Sequence, residues 1–296
     1  MQLTPQLKVA VTGANGQLGY QLAQKLADKV TLLALDRAAL DIANNAQVEE
    51  TLSTFAPDVI INGAAYTAVD KAEQEPELAK GINETGPQNL AKVATKLGAV
   101  LIHVSTDYVF DGQNDTPYVE TDSTNPQSTY GLTKLSGEQA IVNNCAKYII
   151  LRTASVFAEQ GNNFVKTMLR LAQNRPELGV VADQIVGPTY AGDIAEAIIS
   201  IVSQLDDENE QRFGIYHYSG APYVSWHQFA CSIFEQAAQQ KLIAHAPKVN
   251  AITTAQYPTP AKRPALSMLN CSKIERAFAV SPSNWQAALS DLRLYK

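Results

Sequence analysis

The sequence predicts an α/β fold: a doubly wound parallel sheet (Rossmann-like) with a smaller C-terminal substrate-binding lobe. Three observations predict it. Short apolar runs alternate with longer helical patterns up to roughly residue 200, as in sheets covered on both faces. The first apolar run opens directly into a loop with glycines at 13, 16 and 19, followed by a helical pattern. Beyond about residue 160 the alternation fades into less regular, proline-marked segments.

Taken in order, strand-like runs are Val9–Thr12, Thr31–Leu35, Val59–Asn62, Val100–Val104 and Tyr148–Leu151. Each is short and apolar, as a strand buried on both faces must be. Between them, helical patterns cover Gly16–Leu26, Gln47–Phe55, Pro76–Leu97 and Tyr130–Asn144. Later come a helix at Asn162–Asn174, a turn at Gly187–Tyr190, a helix at Gly192–Gln204 and a charged surface loop at 206–212. A short strand and turn at Tyr216–Gly220 precede a helix at Ser225–Gln240. Tyr257–Pro264, with three prolines, is neither helix nor central strand. The division expected is 1–160 for a dinucleotide-binding domain, with contributions from later segments, and 161–296 mainly for a substrate lobe.

Composition narrows the function classes. The chain has 296 residues, 46 % of them hydrophobic and 18 % charged, enough for a sizeable core. A formal charge of −6 without a basic run argues against nucleic acid as a partner. No apolar stretch is long enough to span a bilayer, and Met1–Pro5 has no signal-peptide pattern, so cytoplasmic residence is expected. Cys145, Cys231 and Cys271 are far apart and odd in number, fitting neither a disulfide framework nor a zinc site. His103, His217, His227 and His245 have no metal-ligand spacing, and His103 reads as a satisfied core residue.

Lys8–Thr12, then Gly13-Ala14-Asn15-Gly16-Gln17-Leu18-Gly19, then a helix is the opening of a dinucleotide-binding βαβ unit. Gly13, Gly16 and Gly19 allow a tight turn and a close approach of backbone to pyrophosphate at the helix N-terminus. The second strand ends in Asp36, at the interval for an acid that reaches the adenosine ribose. Asp36 favours NADH, whereas neighbouring Arg37 suits the 2′-phosphate of NADPH, and both cofactors stay open. Gly63, Ala64 and Ala65 follow the third strand, small enough for a cofactor to lie on the backbone.

Tyr130 and Lys134 are four apart on a predicted helix and share a face. An ammonium there is expected to lower the tyrosine pKa and ready the phenol for proton transfer. Ser105 and Thr106 end a core strand, where a hydroxyl would donate to the same oxygen that Tyr130 protonates. Arg263, in the proline-stiffened loop, suits bidentate binding of a nucleotide-sugar diphosphate.

Together these segments resemble the extended short-chain dehydrogenase/reductases, and within them the dTDP-4-dehydrorhamnose reductase family. The matching segments are Thr12–Gly19, Asn62–Glu73, Ser105–Phe110, Tyr130–Lys134, Gly161–Leu169 and Tyr257–Pro264, spread over nearly the full length. The resemblance implies NAD(P)H-dependent reduction of the C4 ketone of dTDP-4-dehydro-β-L-rhamnose to dTDP-L-rhamnose. That step supplies activated rhamnose for surface polysaccharides such as lipopolysaccharide O-antigen. It also implies Tyr130 as proton donor, with Thr106 and Lys134 completing the triad. Gly16, Gln17 and Leu18 would line the pyrophosphate, Asp36, Asp41 and Ile42 the adenosine, and Ala64, Ala65 and Tyr66 the nicotinamide side. Thr106 and Asp107 would touch the sugar.

Two positions depart from the family pattern. Ser155 stands where the family usually has a Trp against the sugar, which predicts a roomier, more polar pocket. Gln21 stands where some relatives carry a Glu implicated in a metal-linked dimer, and a neutral amide is a poorer Mg²⁺ ligand. A homodimer is possible, but Mg²⁺ dependence is in doubt. Two alternatives stand beside the reductase: another nucleotide-sugar epimerase or dehydratase, and a non-catalytic NAD(P)-binding regulatory subunit. Against a dehydratase, Tyr108 occupies the place of a second acid after Asp107. Against a regulatory subunit, Tyr130, Lys134 and Thr106 are intact.

Overall fold

The computed structural model describes residues 1–205 and 210–295. The elements of the first half are β1 (Lys8–Thr12), α1 (Gln17–Leu26), β2 (Thr31–Leu35), α2 (Asn45–Phe55), β3 (Val59–Asn62), α3 (Val69–Ala72) and α4 (Pro76–Lys80). After α4 come a π-helical turn at Gly81–Thr85, then α5 (Gly86–Leu97), β4 (Val100–Thr106), α6 (Thr129–Asn144) and β5 (Tyr148–Thr153). Next are β6 (Val156–Phe157), α7 (Phe164–Ala172), β7 (Glu177–Val181), β8 (Ile185–Val186), β9 (Thr189–Tyr190), α8 (Ala191–Gln204) and β10 (Gly214–His217). The chain closes with β11 (Val224–Ser225), α9 (Trp226–Gln239), β12 (Lys248–Ile252), β13 (Leu266–Ser267), α10 (Ser272–Phe278) and α11 (Trp285–Ala288).

The main sheet has six parallel strands in the order β2-β1-β3-β4-β5-β10. Strand alternation splits its core into two layers. Val9 and Val11 face Leu18, Leu22 and Leu26 of α1 and the apolar side of α8. Ala10 and Ile60 face the other way, against Val48 and Leu52 of α2 and Leu90 of α5. Each fully covered aliphatic side chain contributes about 1.5–3 kcal/mol. A separate aromatic cluster (Phe157, Phe229, Phe234, Trp285, Tyr295) packs α7, α9 and the C-terminal turns around β7 and β12.

The structure corrects one expectation and refines two. The helix expected over Pro76–Leu97 is interrupted by the π turn, where Gly81 and Gly86-Pro87 flank an extra residue in the turn. The short strand expected within Tyr216–Gly220 runs over Gly214–His217 and is the sixth strand of the main sheet, paired with β5, a contribution from a later segment. Helix α8 likewise packs on α1, so the chain returns to the sheet after its first excursion. In the charged loop expected at 206–212, residues 206–209 lie outside the described residues and Glu210–Arg212 form a 3₁₀ turn.

Helix α6 meets the π turn without room to spare. A Cβ on Gly137 would stand 2.0 Å from the Asn83 carbonyl oxygen. Gly137→Ala is therefore expected to destabilise the protein by about 1–3 kcal/mol, read as a lower urea midpoint at unchanged m-value. An unchanged midpoint would show that the two helices part at no cost.

Candidate active site

Strand order reverses at β1/β3, and in such sheets the crevice beyond the carboxyl ends of those strands takes ligands. Gly13 has φ +71°, and a Cβ there would lie 2.6 Å from the Ala64 amide nitrogen, so only glycine lets the two loops touch. Gly16 caps α1 with no side-chain bond, which leaves the first amides of the helix open to an anion. Around this point lies a cavity of ≈ 530 Å³. Gly13, Gly16, Asp36, Arg37, Asp41, Ile42, Ala64, Ala65 and Tyr66 all line it. The open helix end and the side-chain-free loop fit a dinucleotide.

Three residues expected there do not line the cavity. Leu18 is buried in the core. Gly19 packs on the loop itself, where a Cβ would stand 2.1 Å from the Gly13 carbonyl oxygen. Gln17 turns away and accepts a hydrogen bond from Asn163 Nδ2 at 2.9 Å. Their side chains do not reach the cavity, but the uncapped amides that open on an anion there are those of Gln17, Leu18 and Gly19.

Asp36 is already engaged. Its Oδ1 accepts from the amides of Ala38 and Ala39, both at 2.9 Å, and its Oδ2 from Asn15 Nδ2 at 2.6 Å. A carboxylate has about four lone-pair sites, so about one remains for a ribose hydroxyl. Arg37 has no hydrogen bond or ion pair among the described residues.

The second part of the site lies at the end of β4. Ser128 caps α6 by accepting from the Gly131 amide at 3.2 Å, and Glu73 of the loop after α3 accepts from both the Thr129 amide (2.8 Å) and its hydroxyl (2.9 Å). These contacts fix Tyr130, whose ring meets Tyr108 edge-on at 5.5 Å. Burial pushes the Tyr130 phenol up to about 12; a hydrogen bond with Thr106 opposes this and the charge of Asp107 adds to it. Asp107 is itself pushed up to about 6 by burial, against hydrogen bonds from Ser267 and Thr106.

Lys134 is engaged on the strand side of α6 in this structure. It is 1 % exposed, and its Nζ donates to the Val104 carbonyl at 2.7 Å and lies 3.2 Å from His103 Nε2. Burial draws its own pKa down to about 8, with the Glu138 charge opposing. Ser105 also leaves the site: strand alternation turns it from Thr106, and it donates to Glu138 Oε1 at 2.5 Å. Glu138 is paired in turn with Arg152, both essentially buried.

A second cavity, ≈ 580 Å³, lies among α7, β7, Trp226, Tyr257 and Arg263. Arg263 is not a free anion site: its Nη2 donates to Asp70 Oδ2 at 2.8 Å, and it also bonds Tyr108. It thus ties this cavity to the Tyr130 region, with guanidinium donors to spare. Ser155 lines neither cavity; it follows β5 in a left-handed conformation, φ +48°.

Several working residues carry no local pattern that marks them. Asn83, in the π turn, accepts from the Tyr66 amide (2.8 Å) and donates to the Tyr66 carbonyl (3.1 Å) and the Thr133 hydroxyl (3.2 Å). It joins the nucleotide cavity to α6. Among the described residues no group of His, Cys, Asp or Glu could hold a metal ion, and Gln21 is bonded to Glu159 at 2.8 Å. No helix of the described residues is long and apolar enough to cross a membrane.

With this geometry in place, comparison with known proteins is informative. A family described as RmlD substrate binding domain matches residues 7–293. A dTDP-4-dehydrorhamnose reductase from Aggregatibacter actinomycetemcomitans is 51 % identical over 97 % of this chain and 99 % of its own length. Two solved reductases of the same name superpose with TM-score 0.88. The one from Clostridium acetobutylicum is 39 % identical, covering 96 % of this chain and 97 % of its own. The one from Bacillus anthracis, in complex with NADP, is 37 % identical with the same coverage, 96 % and 97 %.

Asp107 gives a pH prediction. Its ordinary value is 3.8 and its folded value about 6, so the folded state holds the proton more tightly and ionising Asp107 costs stability as pH rises through that range. Asp107→Asn removes this cost. The variant should gain on wild type by up to about 3 kcal/mol between pH 3.5 and pH 7, measured by denaturant midpoints. A difference that does not move with pH refutes the raised value.

Proposed function

The chain belongs to the RmlD substrate binding domain family, whose relatives are dTDP-4-dehydrorhamnose reductases, and from that premise we propose that it reduces the C4 ketone of dTDP-4-dehydro-β-L-rhamnose to dTDP-L-rhamnose. The observation that carries this reading is the half-buried Tyr130 phenol beside buried Thr106 at the end of β4, on a sheet whose switch point holds an open glycine-loop cavity of dinucleotide size. NADH or NADPH bound in that cavity supplies the hydride.

Tyr130 is the proton donor in this reading. A phenol at about 12 is fully protonated at neutral pH, the state a donor needs when a ketone oxygen gains charge. Thr106 stabilises the phenolate left behind, since its hydrogen bond is the interaction that lowers the phenol pKa. In the ligand-free geometry the Thr106 hydroxyl donates to Asp107 Oδ1 at 2.9 Å. That hydroxyl has one proton, so donating it to the phenolate or to a substrate oxygen requires it to rotate off Asp107. Lys134 braces the base of the site from the Val104 carbonyl, and Asn83 holds α6 against the nucleotide wall.

The main sheet is the nucleotide half in this proposal, with Gly13, Gly16, Asp36, Arg37, Asp41, Ile42, Ala64, Ala65 and Tyr66 as its contacts. The lobe is the sugar half, with Asp107 and Arg263 at the boundary. The enzyme acts on a dTDP-sugar in the cytoplasm, without nucleic acid, and a homodimer is the assembly to test.

Turnover of dTDP-4-dehydrorhamnose with each reduced cofactor tests the reading. Tyr130→Phe should cut kcat by about 10²–10⁴-fold, with dinucleotide Kd little changed. Wild type that binds dinucleotide tightly but never turns this sugar over would place the chain with the regulatory binding proteins instead. Arg37→Ala should weaken NADPH binding by about tenfold, the size of one lost charge-assisted hydrogen bond, and leave NADH unaffected. Equal losses for both would show that Arg37 does not read the 2′-phosphate.

A further inference from the structure

A continuous set of buried hydrogen bonds runs from the nucleotide cavity to Lys134. Asn62 Oδ1 accepts from the Ala64 amide at 3.1 Å and from the Thr12 hydroxyl at 2.7 Å. The Ala64 amide can only donate, so it fixes which end of the Asn62 side chain is oxygen. The other end, Nδ2, therefore faces His103 Nδ1 at 2.9 Å, and it too can only donate. His103 Nδ1 must then be the acceptor, and the single proton of a neutral imidazole sits on Nε2. Nε2–H points at Lys134 Nζ, 3.2 Å away.

An ammonium has three donors and no lone pair, so it cannot accept that proton; a neutral amine can. We propose that His103 is a positioning residue that selects the neutral, lone-pair-bearing form of Lys134 in the ligand-free protein, its tautomer being set by Asn62 and the Ala64 amide. The amine then accepts from His103 Nε2–H and donates to the Val104 carbonyl at 2.7 Å.

The surroundings agree. His103, Asn62 and Lys134 are all at most 1 % exposed. Burial holds His103 well below its usual value of 6.5, so it stays neutral. Burial also draws Lys134 down, to about 8, which alone leaves the ammonium the major form at neutral pH; the hydrogen-bond geometry is what favours the amine. The charged and titratable groups around the pair are Tyr130 and Glu138 on α6, and Arg152 on β5, which pairs with Glu138. Glu138 favours the ammonium and is the one group that opposes the proposal.

The chemical consequence is that Lys134 can take a proton as well as give one. Because Ala64 lines the nucleotide cavity, occupancy there reaches the lysine through three hydrogen bonds. The bearing on catalysis rests on the reductase reading above; the proton state itself does not, and is measured without turnover.

The test is nitrogen NMR on protein labelled at histidine and lysine. The chain has 4 histidines, so the His103 ring signals are assigned by their loss in a variant. At neutral pH, His103 should show a proton-bearing Nε2 and a bare Nδ1. A bare Nε2, or an imidazolium, overturns the proposal. His103→Phe removes the ring N–H and should raise the Lys134 pKa by about one unit or more, a tenfold gain in proton affinity. A fall, or no change, overturns the proposal, because it would mean that His103 had been accepting from an ammonium or doing nothing. If His103→Phe does not fold, the wild-type ring signals alone decide. Failed turnover with the expected tautomer would refute the reductase reading and leave this one standing.

Discussion

The contact between α6 and the sheet is the constraint on which the site depends, and it is largely polar. The buried face of α6 consists of Gly131, Thr133, Lys134, Gly137, Glu138 and Ile141, with one large apolar side chain among them. An apolar stripe cannot hold such a helix. In its place Arg152 of β5 binds Glu138 through Nη2 at 2.7 Å and Nε at 3.0 Å, and Ser105 of β4 completes the carboxylate. Such a pair adds little net stability over an apolar substitute, but losing one partner typically costs about 3–5 kcal/mol. Its value is registry. It permits one position of α6 on β4 and β5, and that position brings Tyr130 to Thr106.

The glycines serve the same end by subtraction. Gly131 would otherwise place a Cβ 2.2 Å from the Tyr108 carbonyl, as Gly137 would against Asn83. The helix therefore approaches the turn after β4 and the π turn at backbone distance. Polar bonds draw it in, and missing side chains let it come close.

Much of the main sheet was legible in the sequence because unbroken apolar runs such as Val9-Ala10-Val11 admit few placements. The glycine loop was legible too, since Gly13 is required by a contact between neighbouring loops. Beyond those the signals failed for physical reasons. Leu18 and Gly19 lie inside a ligand motif, but helical geometry turns them inward. Ser105 and Thr106 are adjacent and equivalent in sequence, yet a strand sends them to opposite faces. Lys134 was expected to act on Tyr130; that it also meets the Val104 carbonyl and His103 is something no spacing rule encodes. The place of strand β10 in the main sheet was not legible because its partner β5 is remote in sequence and only the crossover through α8 joins them. Asn83 was invisible because its role depends on an extra residue in a helical turn. Ser155 was legible as a departure from the family, but its left-handed backbone was not.

Helix α1 belongs to both halves of the molecule. Its uncapped N-terminus opens on the nucleotide cavity, while Gln17 and Gln21 on its flank hold Asn163 and Glu159 of the segment leading into α7. Glu159 also receives the Tyr190 hydroxyl at 2.5 Å. A swing of the lobe would pull on the helix whose end meets the nucleotide. Helix α1 thus couples the two regions as an axle does: its end meets the cavity and its flank carries the segment before α7.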